Sequence, residues 1–446
     1  MMRYFITLLI CSLTAIATDA RTMTLRECIA EGVNRNLSLS NARIGMDKSR
    51  LGVTQNRSRL LPVINGAIQA SDYLVRPVSV TSGTLLDKDF PDEPTWQKIR
   101  SMQYQATAGM QLGVPLFDKT ILASIDVART VEQISALSYD KAVEDLTVQI
   151  AKVYYLAQSS LAQMELTEEN IERMDSLCEI TQALYDQVVV LEVDLNRVRI
   201  NRQYLQSQQN QFQTLHAQQL NLLRYLLDYS LDADLEVEKA EDGVDAETFG
   251  GVNEALPELK IAEQQIALVQ KRISTVNAGY LPSVSFLVYA GGLGYQEKFN
   301  HWFHTHDATR NWFGNVFVGL RVNIPIFDAN TKKHQKRQLR YDAEIASNNR
   351  DQTRKRLMES YANATEQLRH NLQVYATQSH SASQAEDVYN ITAEQYREGV
   401  SSMTALLQDE MQLRTAESAC IQAQTQCRLA RLDLLKLTGN LSKLSE

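Results

Sequence analysis

From Gln103 to Val114 apolar and polar residues alternate without a break. Tyr104, Ala106, Ala108, Met110, Leu112 and Val114 fall on one phase; Gln103, Gln105, Thr107, Gly109, Gln111 and Gly113 fall on the other. A period of two predicts a strand with one apolar and one polar face. Asn315 to Ile324 repeats the pattern, with Val316, Val318, Leu320, Val322 and Ile324 set against Asn315, Phe317, Gly319, Arg321 and Asn323. Less regular strands follow Pro62 and Pro282. Ile64, Gly66, Ile68 and Ala70 share a face in the first, and Val284, Phe286, Val288 and Ala290 in the second. The expected strand pairs are thus about 62–75 with 103–114, and about 283–291 with 315–324. A dozen strand residues reach about 40 Å, which a 45° tilt brings near the thickness of a bilayer core. The pattern suits lipid on one side and water on the other. Tyr104, Ala106, Ala108, Met110, Leu112, Val316, Val318, Leu320 and Val322 are the expected lipid-facing positions. A soluble sandwich edge fits less well, because the strands come as two isolated pairs.

The rest of the chain reads as helix. Asp118 and Asp328 each follow a Pro-x-Phe segment and suit N-caps. No proline or glycine interrupts Asp118–Tyr185. Val143, Ile150, Ala157, Met164, Ile171 and Cys178 recur there every seven residues, and Leu146, Val153, Ser160, Thr167 and Met174 form a second seam. That period predicts coiled-coil-like packing. Asp118–Tyr185 and Asp328–Tyr396 would each run about 100 Å as helices. The return helices, Val189–Leu227 and Pro257–Gly279, are shorter.

These elements occur twice. Leu61-Pro62-Val63 is answered by Leu281-Pro282-Ser283, Val114-Pro115-Leu116-Phe117-Asp118 by Ile324-Pro325-Ile326-Phe327-Asp328, and Tyr185 by Tyr396, at offsets of 220, 210 and 211. Ordered landmarks at nearly fixed offsets indicate duplication. The expected organisation is a leader at 1–20, a first repeat at 21–228, an acidic connector at 229–256 and a second repeat at 257–446. The connector carries Asp232, Asp234, Glu236, Glu238, Glu241 and Asp242 against Lys239, and reads as solvated with at most short structure.

Composition narrows the class. The chain has 446 residues, a net charge of −8, 18 glycines and 8 prolines, which favours long elements and disfavours a nucleic-acid binder. Arg3, the apolar run Tyr4–Leu13 and the small residues Ala15-Ile16-Ala17 form an export signal. Cys28, Cys178, Cys420 and Cys427 read as small buried residues without a zinc spacing. His301, His304 and His306 beside Asp307 could hold a metal, but an aromatic-rich surface loop is the preferred reading, so no metal and no cofactor are expected. No nucleophile motif or phosphate loop points to an enzyme. Lys332, Lys333, Lys336, Arg337 and Arg340 could meet lipid phosphates, with a solvated helix face preferred.

Four strands cannot close a transmembrane barrel, and an open edge in lipid leaves backbone groups unpaired. Several chains must therefore share one. The sequence resembles the TolC family of outer-membrane channel proteins. The resemblance rests on Thr24-Leu25-Arg26-Glu27-Cys28-Ile29-Ala30 with Asn36-Leu37, on the doubled Pro-x-Phe-Asp junctions, and on the Leu-x-x-Leu-x-Gly ending at Leu434–Gly439. It implies an α+β membrane protein: a homotrimer with a 12-stranded β-barrel, four strands per chain, continued by a 12-helix α-barrel. It implies a passive exit duct of a tripartite efflux or type I secretion system, in the outer membrane with its helices in the periplasm. The implied partners are a periplasmic adaptor (membrane fusion) protein and an inner-membrane transporter of the RND or ABC type, together with outer-membrane lipid and no nucleic acid. The family's closed end lies at the helix turns, here Tyr185–Leu195 and Tyr396–Leu406. Tyr396 and Asp194 match a phenol–carboxylate latch there. Ser401 stands where an arginine is common, and Ala405 and Gln408 where an acidic ring would be. A periplasmic coiled-coil adaptor or scaffold without a pore is the alternative reading. It explains the heptads but not the amphipathic strands.

Overall fold

The computed structural model describes residues 21–82, 96–240, 249–299 and 312–444. The export signal and the His301, His304 and His306 loop lie outside them. In chain order the elements are β1 (Arg21–Met23), α1 (Leu25–Arg35), α2 (Leu37–Ser58), β2 (Val63–Asp72), β3 (Val78–Ser82), β4 (Trp96–Arg100), β5 (Tyr104–Phe117), α3 (Lys119–Asp186), α4 (Glu192–Leu226), β6 (Leu235–Val237), α5 (Pro257–Ala278), β7 (Ser283–Gln296), β8 (Trp312–Asn323), α6 (Thr331–Arg397) and α7 (Met403–Thr438), with a 3-10 turn at Leu441–Leu444. The chain divides into two compact units, each drawn from separated stretches. One takes the chain up to Met46, Ser135–Glu263 and Asn348 onward; the other takes Asp47–Ile134 and Gln264–Ser347.

The second unit holds an antiparallel sheet in the order β2-β5-β7-β8, so the two expected pairs join in one sheet. Strand limits differ from the pattern where glycine or proline intervenes. β5 passes through Pro115 with a register shift between Pro115 and Phe117. β7 continues five residues beyond 291, through Gly292 and Gly294. Gly109 and Gly291 face each other across β5 and β7, and the Tyr289 ring lies over both. A Cβ on Gly291 would stand 2.7 Å from the Ala108 carbonyl oxygen and 2.6 Å from the Tyr289 hydroxyl. Glycine here makes room for an aromatic ring that covers exposed backbone, which keeps the strand intact. The expected polar loop near 76–100 contributes a further hairpin, β3 with β4.

The two expected caps differ. The Asp118 carboxylate accepts the Thr120 and Ile121 N–H groups at 2.8 and 3.3 Å, as an N-cap does. Asp328 stands outside the cap position. Ala329 and Asn330 adopt φ of 52° and 63°, and α6 starts after them. The Asp328 carboxylate still accepts the Lys332 N–H at 3.2 Å, and that bond, with the Lys332 ammonium, holds its pKa below the ordinary value.

The first unit is helical around a core of Met23, Ile150, Tyr154, Leu223, Leu227 and Leu235. Thr24 caps α1 in a reciprocal capping box with Glu27, which explains the Thr-x-x-Glu start. The connector is not wholly solvated. Its Leu235-Glu236-Val237 forms β6, which pairs in parallel with β1 and buries Leu235 and Val237. Along α3 the seam Leu146, Val153, Ser160, Thr167 and Met174 is buried as expected. The other row moves: after Ile150 and Ala157 the buried positions are Gln163, Asn170 and Leu177, while Met164, Ile171 and Cys178 are half-buried. An α-helix drifts about 20° per heptad against a strict seven-residue repeat, so a long seam changes residue. Cys28 and Cys427 are buried, but Cys178 and Cys420 are only partly so, and all four are free thiols.

Gly291→Ala should lower stability by about 1–3 kcal/mol, because the methyl meets backbone. Gly66→Ala, with nothing within 4 Å of the added carbon, should be neutral in strain. Thermal unfolding of the detergent-solubilised protein distinguishes the two.

Candidate functional site

The strand register sorts side chains by face. Ile64 faces Leu112, Leu112 faces Val288, and Val288 faces Val318. One row along, Gly66, Met110, Ala290 and Val316 are aligned in the same way. Directly opposed residues point to the same side of a sheet. Tyr104, Ala106, Ala108, Met110, Leu112, Val316, Val318, Leu320 and Val322 therefore lie on one face, which is apolar over all four strands except in the Tyr104 row, where Asp72 and Gln296 stand on either side. Met110, Val316, Val318, Leu320 and Val322 are exposed, whereas Ala106 is buried. The other face is mixed. β2 and β5 give it Asn65, Gln69, Gln105 and Gln111, while β7 and β8 add Tyr289 stacked on Phe317 at 5.5 Å and Tyr295 beside Phe313. The alternation of β7 carried that aromatic contribution, which the sequence reading missed.

The long helices turn at 187–191 and 398–402. Both turns share one geometry. Val188 N–H bonds the Tyr185 carbonyl at 2.8 Å and Val189 N–H bonds Leu184 at 2.9 Å; Gly399 and Val400 repeat this with Tyr396 and Gln395 at 3.0 and 2.8 Å. This is a Schellman closure, whose left-handed residue is normally glycine. Gly399 fills it at φ 74°, but Val188 fills the other at φ 63°. Ser402 caps α7 by accepting the Ala405 N–H, whereas Leu191 offers α4 no side-chain cap.

Tyr396 and Asp194 are not hydrogen-bonded to each other. Tyr396 is 8% exposed, in a cluster with Met174, Leu177, Val198, Leu205, Met403 and Leu406. Its hydroxyl has no partner in bonding geometry; the nearby Thr181 hydroxyl is spent on the Leu177 carbonyl at 2.7 Å. Burial pushes the phenol pKa up, the nearby Thr181 hydroxyl opposes that, and the charge of Asp194 adds a smaller rise. Asp194 accepts from Arg197, one turn on, at 3.0 Å. Arg197 also donates to the Thr404 hydroxyl at 3.1 Å and so ties α4 to α7. An i,i+3 partner costs less chain entropy to hold than a phenol on a distant helix, which explains the exchange. Asp409 accepts the Thr392 hydroxyl at 2.7 Å.

Two polar clusters were not foreseen. His216 is buried, with Nδ1 at 3.0 Å from Ser160 Oγ and Nε2 at 3.6 Å from Glu236. The residue types suggest a hydrolytic triad, but Ser160 is buried and its one O–H is engaged by Gln219 Oε1 at 2.6 Å, with the Ala157 carbonyl the alternative acceptor at 2.9 Å, so the set braces α3 against α4 and β6. On α7, Glu410 is 2% exposed and both its carboxylate oxygens lack a hydrogen bond. Arg414 lies 4.0 Å away and stacks on Tyr204, and Arg173 pairs with Glu417. Burial raises the Glu410 pKa, partly offset by Arg414 and Arg173. Among the described residues no group of histidine, cysteine and carboxylate side chains could hold a metal, and no helix is long and apolar enough to cross a membrane.

The family sequence model described as outer membrane efflux protein matches residues 29–227 and again 252–440. The chain belongs to that family. A probable efflux pump outer membrane protein, TtgC of Pseudomonas putida, is 22% identical over 424 residues, spanning 93% of this chain and 82% of its own length. Among solved structures, the outer-membrane channel OprN superposes with a TM-score of 0.73 at 16% identity, over 93% of this chain and 90% of that one. VceC of Vibrio cholerae gives 0.71 at 15%, over 93% and 96%. The TolC-like fold and the outer-membrane location follow, and the family is one of transport ducts.

The unfolded Glu410 carboxyl titrates near 4.5 and the folded one above it. Between those values the folded state binds more protons, so this group's contribution to stability falls as pH rises through the window and is flat beyond it. Melting temperatures recorded against pH should show that decline in the wild type and a flatter profile in Glu410→Gln.

Proposed function

We propose that three copies of this outer membrane efflux protein form one duct, and that substrates leave through it passively after release by an inner-membrane transporter and a periplasmic adaptor. The exit-duct role is the family's own; the count and the residue roles are our reading. The observation that carries it is the sheet. One face is apolar from the Ala106 row to the Val322 row, and among the described residues β2 and β8 are each paired on one side only. Lipid tolerates the apolar face but not the edges, so each edge needs a strand from another chain. Three chains of four strands would make a 12-stranded barrel. Two separate matches to one family model, and helices α3 and α6 of 68 and 67 residues, support a duplicated chain with helices of about 100 Å lining a tube.

The helix turns are read as the closed end and the adaptor contact. Val188, Val189, Leu191 and Val400 are exposed there, an apolar knob that suits a protein partner. Tyr396 is assigned to packing that end, with Asp194 acting through Arg197 rather than through the phenol. The duct asks for no catalytic group and no cofactor. A pore-less adaptor would leave the apolar sheet face without purpose.

Two outcomes check this reading. Met110→Arg should cost about 2–4 kcal/mol and impair assembly if that face meets lipid, while Gln111→Arg should assemble; yields of heat-modifiable oligomer in outer-membrane extracts measure both. In planar bilayers Tyr396→Phe should leave conductance unchanged, whereas Arg197→Ala should raise it several-fold. A raised conductance in Tyr396→Phe would restore the phenol latch.

A further inference from the structure

The corner between β8 and α6 carries a charge arrangement that its own fold does not balance. α6 opens with Lys332, Lys333, Lys336, Arg337 and Arg340, and no carboxylate falls between Thr331 and Tyr341. Lys332 with Lys336, Lys333 with Arg337, and Lys336 with Arg340 stack like charges one turn apart, which destabilises a helix. Cations in the first turns also oppose the helix dipole. Asp328 answers only Lys332, whose ammonium lies 3.3 Å from its carboxylate and 5.2 Å from the Tyr280 ring centre. Arg337 donates to the Tyr341 hydroxyl at 3.1 Å. Among the described residues no carboxylate pairs with Lys333, Lys336, Arg337 or Arg340.

The cations are also placed on one side. Gln335 and Leu339 close against Ser124, Val127 and Val276, while Lys333, Arg337 and Arg340 share an exposed face. Just ahead of them Ile326 and Phe327 are 93% and 81% exposed. These two follow directly from β8, whose Val316 to Val322 lie on the apolar face of the sheet. The matching start of α3 has no such stripe, and its Arg129 is paired with Asp126 at 3.2 Å. An apolar step followed by unpaired cations is the profile of a membrane boundary: side chains enter the acyl region first, and basic heads reach the phosphates behind it. From Lys333 to Arg340 the helix advances about 10 Å, close to one Debye length at physiological salt.

We propose that this corner binds the headgroups of anionic phospholipids in the periplasmic leaflet, with Ile326 and Phe327 at the acyl boundary and Lys333, Arg337 and Arg340 on the phosphates. The inference rests on the outer-membrane placement of the sheet, and it adds a lipid preference that the duct role does not require. The test uses full-length protein in an uncharged detergent, with its melting temperature followed as phosphatidylglycerol or phosphatidylcholine is added. Phosphatidylglycerol should raise the melting temperature, less so at high salt, and phosphatidylcholine should not. The triple variant Lys333→Gln, Arg337→Gln and Arg340→Gln should need at least ten-fold more phosphatidylglycerol for the same shift, Arg340→Gln alone an intermediate amount, and the remote Lys355→Gln no more than the wild type. Equal responses to the two lipids, or an unchanged response in both the triple and the single variant, would overturn the site. Equal stabilisation by inorganic phosphate would show a free-anion site instead of a membrane contact. Conductance of the same preparations in phosphatidylcholine bilayers separates a failed duct from a failed lipid site.

Discussion

A peptide group inside hydrocarbon has no water to bond, so every strand edge there must find another strand. That one requirement organises this protein. The four-stranded sheet satisfies its inner ladders, and among the described residues β2 and β8 are unpaired on their outer sides. The shared barrel proposed above would close those edges, and the register suits it: apolar residues are aligned row by row from Ile64 to Val318. The same requirement accounts for glycine and tyrosine in the sheet interior. Where Gly109 and Gly291 leave backbone bare, the Tyr289 ring covers it without interrupting the ladder.

The helices obey a different constraint. A seam about 100 Å long cannot stay on the same residues when the helix turns once in 3.6. In α3 the chain answers by changing one buried row from the Ile150–Ala157 phase to Gln163, Asn170 and Leu177. Gln163 is buried with a bond to a neighbouring helix, donating to the Ser418 carbonyl at 3.1 Å, and Asn170 accepts from Arg173 one turn on. The seam thus interrupts its apolar packing with polar contacts at Gln163 and Asn170 and returns to apolar packing at Met174 and Leu177. Glu410 is the extreme case, a carboxyl at a position where its neighbours Met403, Leu406 and Leu413 bury apolar groups.

Much of this was legible in the sequence, for physical reasons that can be named. The limits of α3 and α5 were readable because proline, glycine and capping residues mark them. The residues that share the apolar face were readable because a period of two leaves little choice of face. The end of β7 was not, since Gly291, Gly292 and Gly294 signal a break when the covering ring is unseen. Pairing of β1 with β6 joins residues more than two hundred positions apart, and no local pattern announces it. That Asp194 bonds Arg197 and not Tyr396 has a nearer cause. Asp194 and Arg197 are three residues apart, and that spacing already offered a competitor to Tyr396. Glu410 was equally visible as an acid on an apolar 3–4 spacing, a signal that composition alone does not raise.

The two helix turns close with the same hydrogen bonds but not at the same cost. A β-branched residue in the left-handed region carries strain that glycine avoids, and Val188 bears it while Gly399 does not. The uncapped start of α4 adds to the difference. Duplication alone would give a closed ring of such turns a sixfold pseudosymmetry. In the three-chain duct proposed above, unequal turns would reduce it to threefold, with soft and stiff corners alternating around the axis. Such a ring would not dilate like an iris, in which all blades move together; its soft corners would yield while the stiff ones act as pivots.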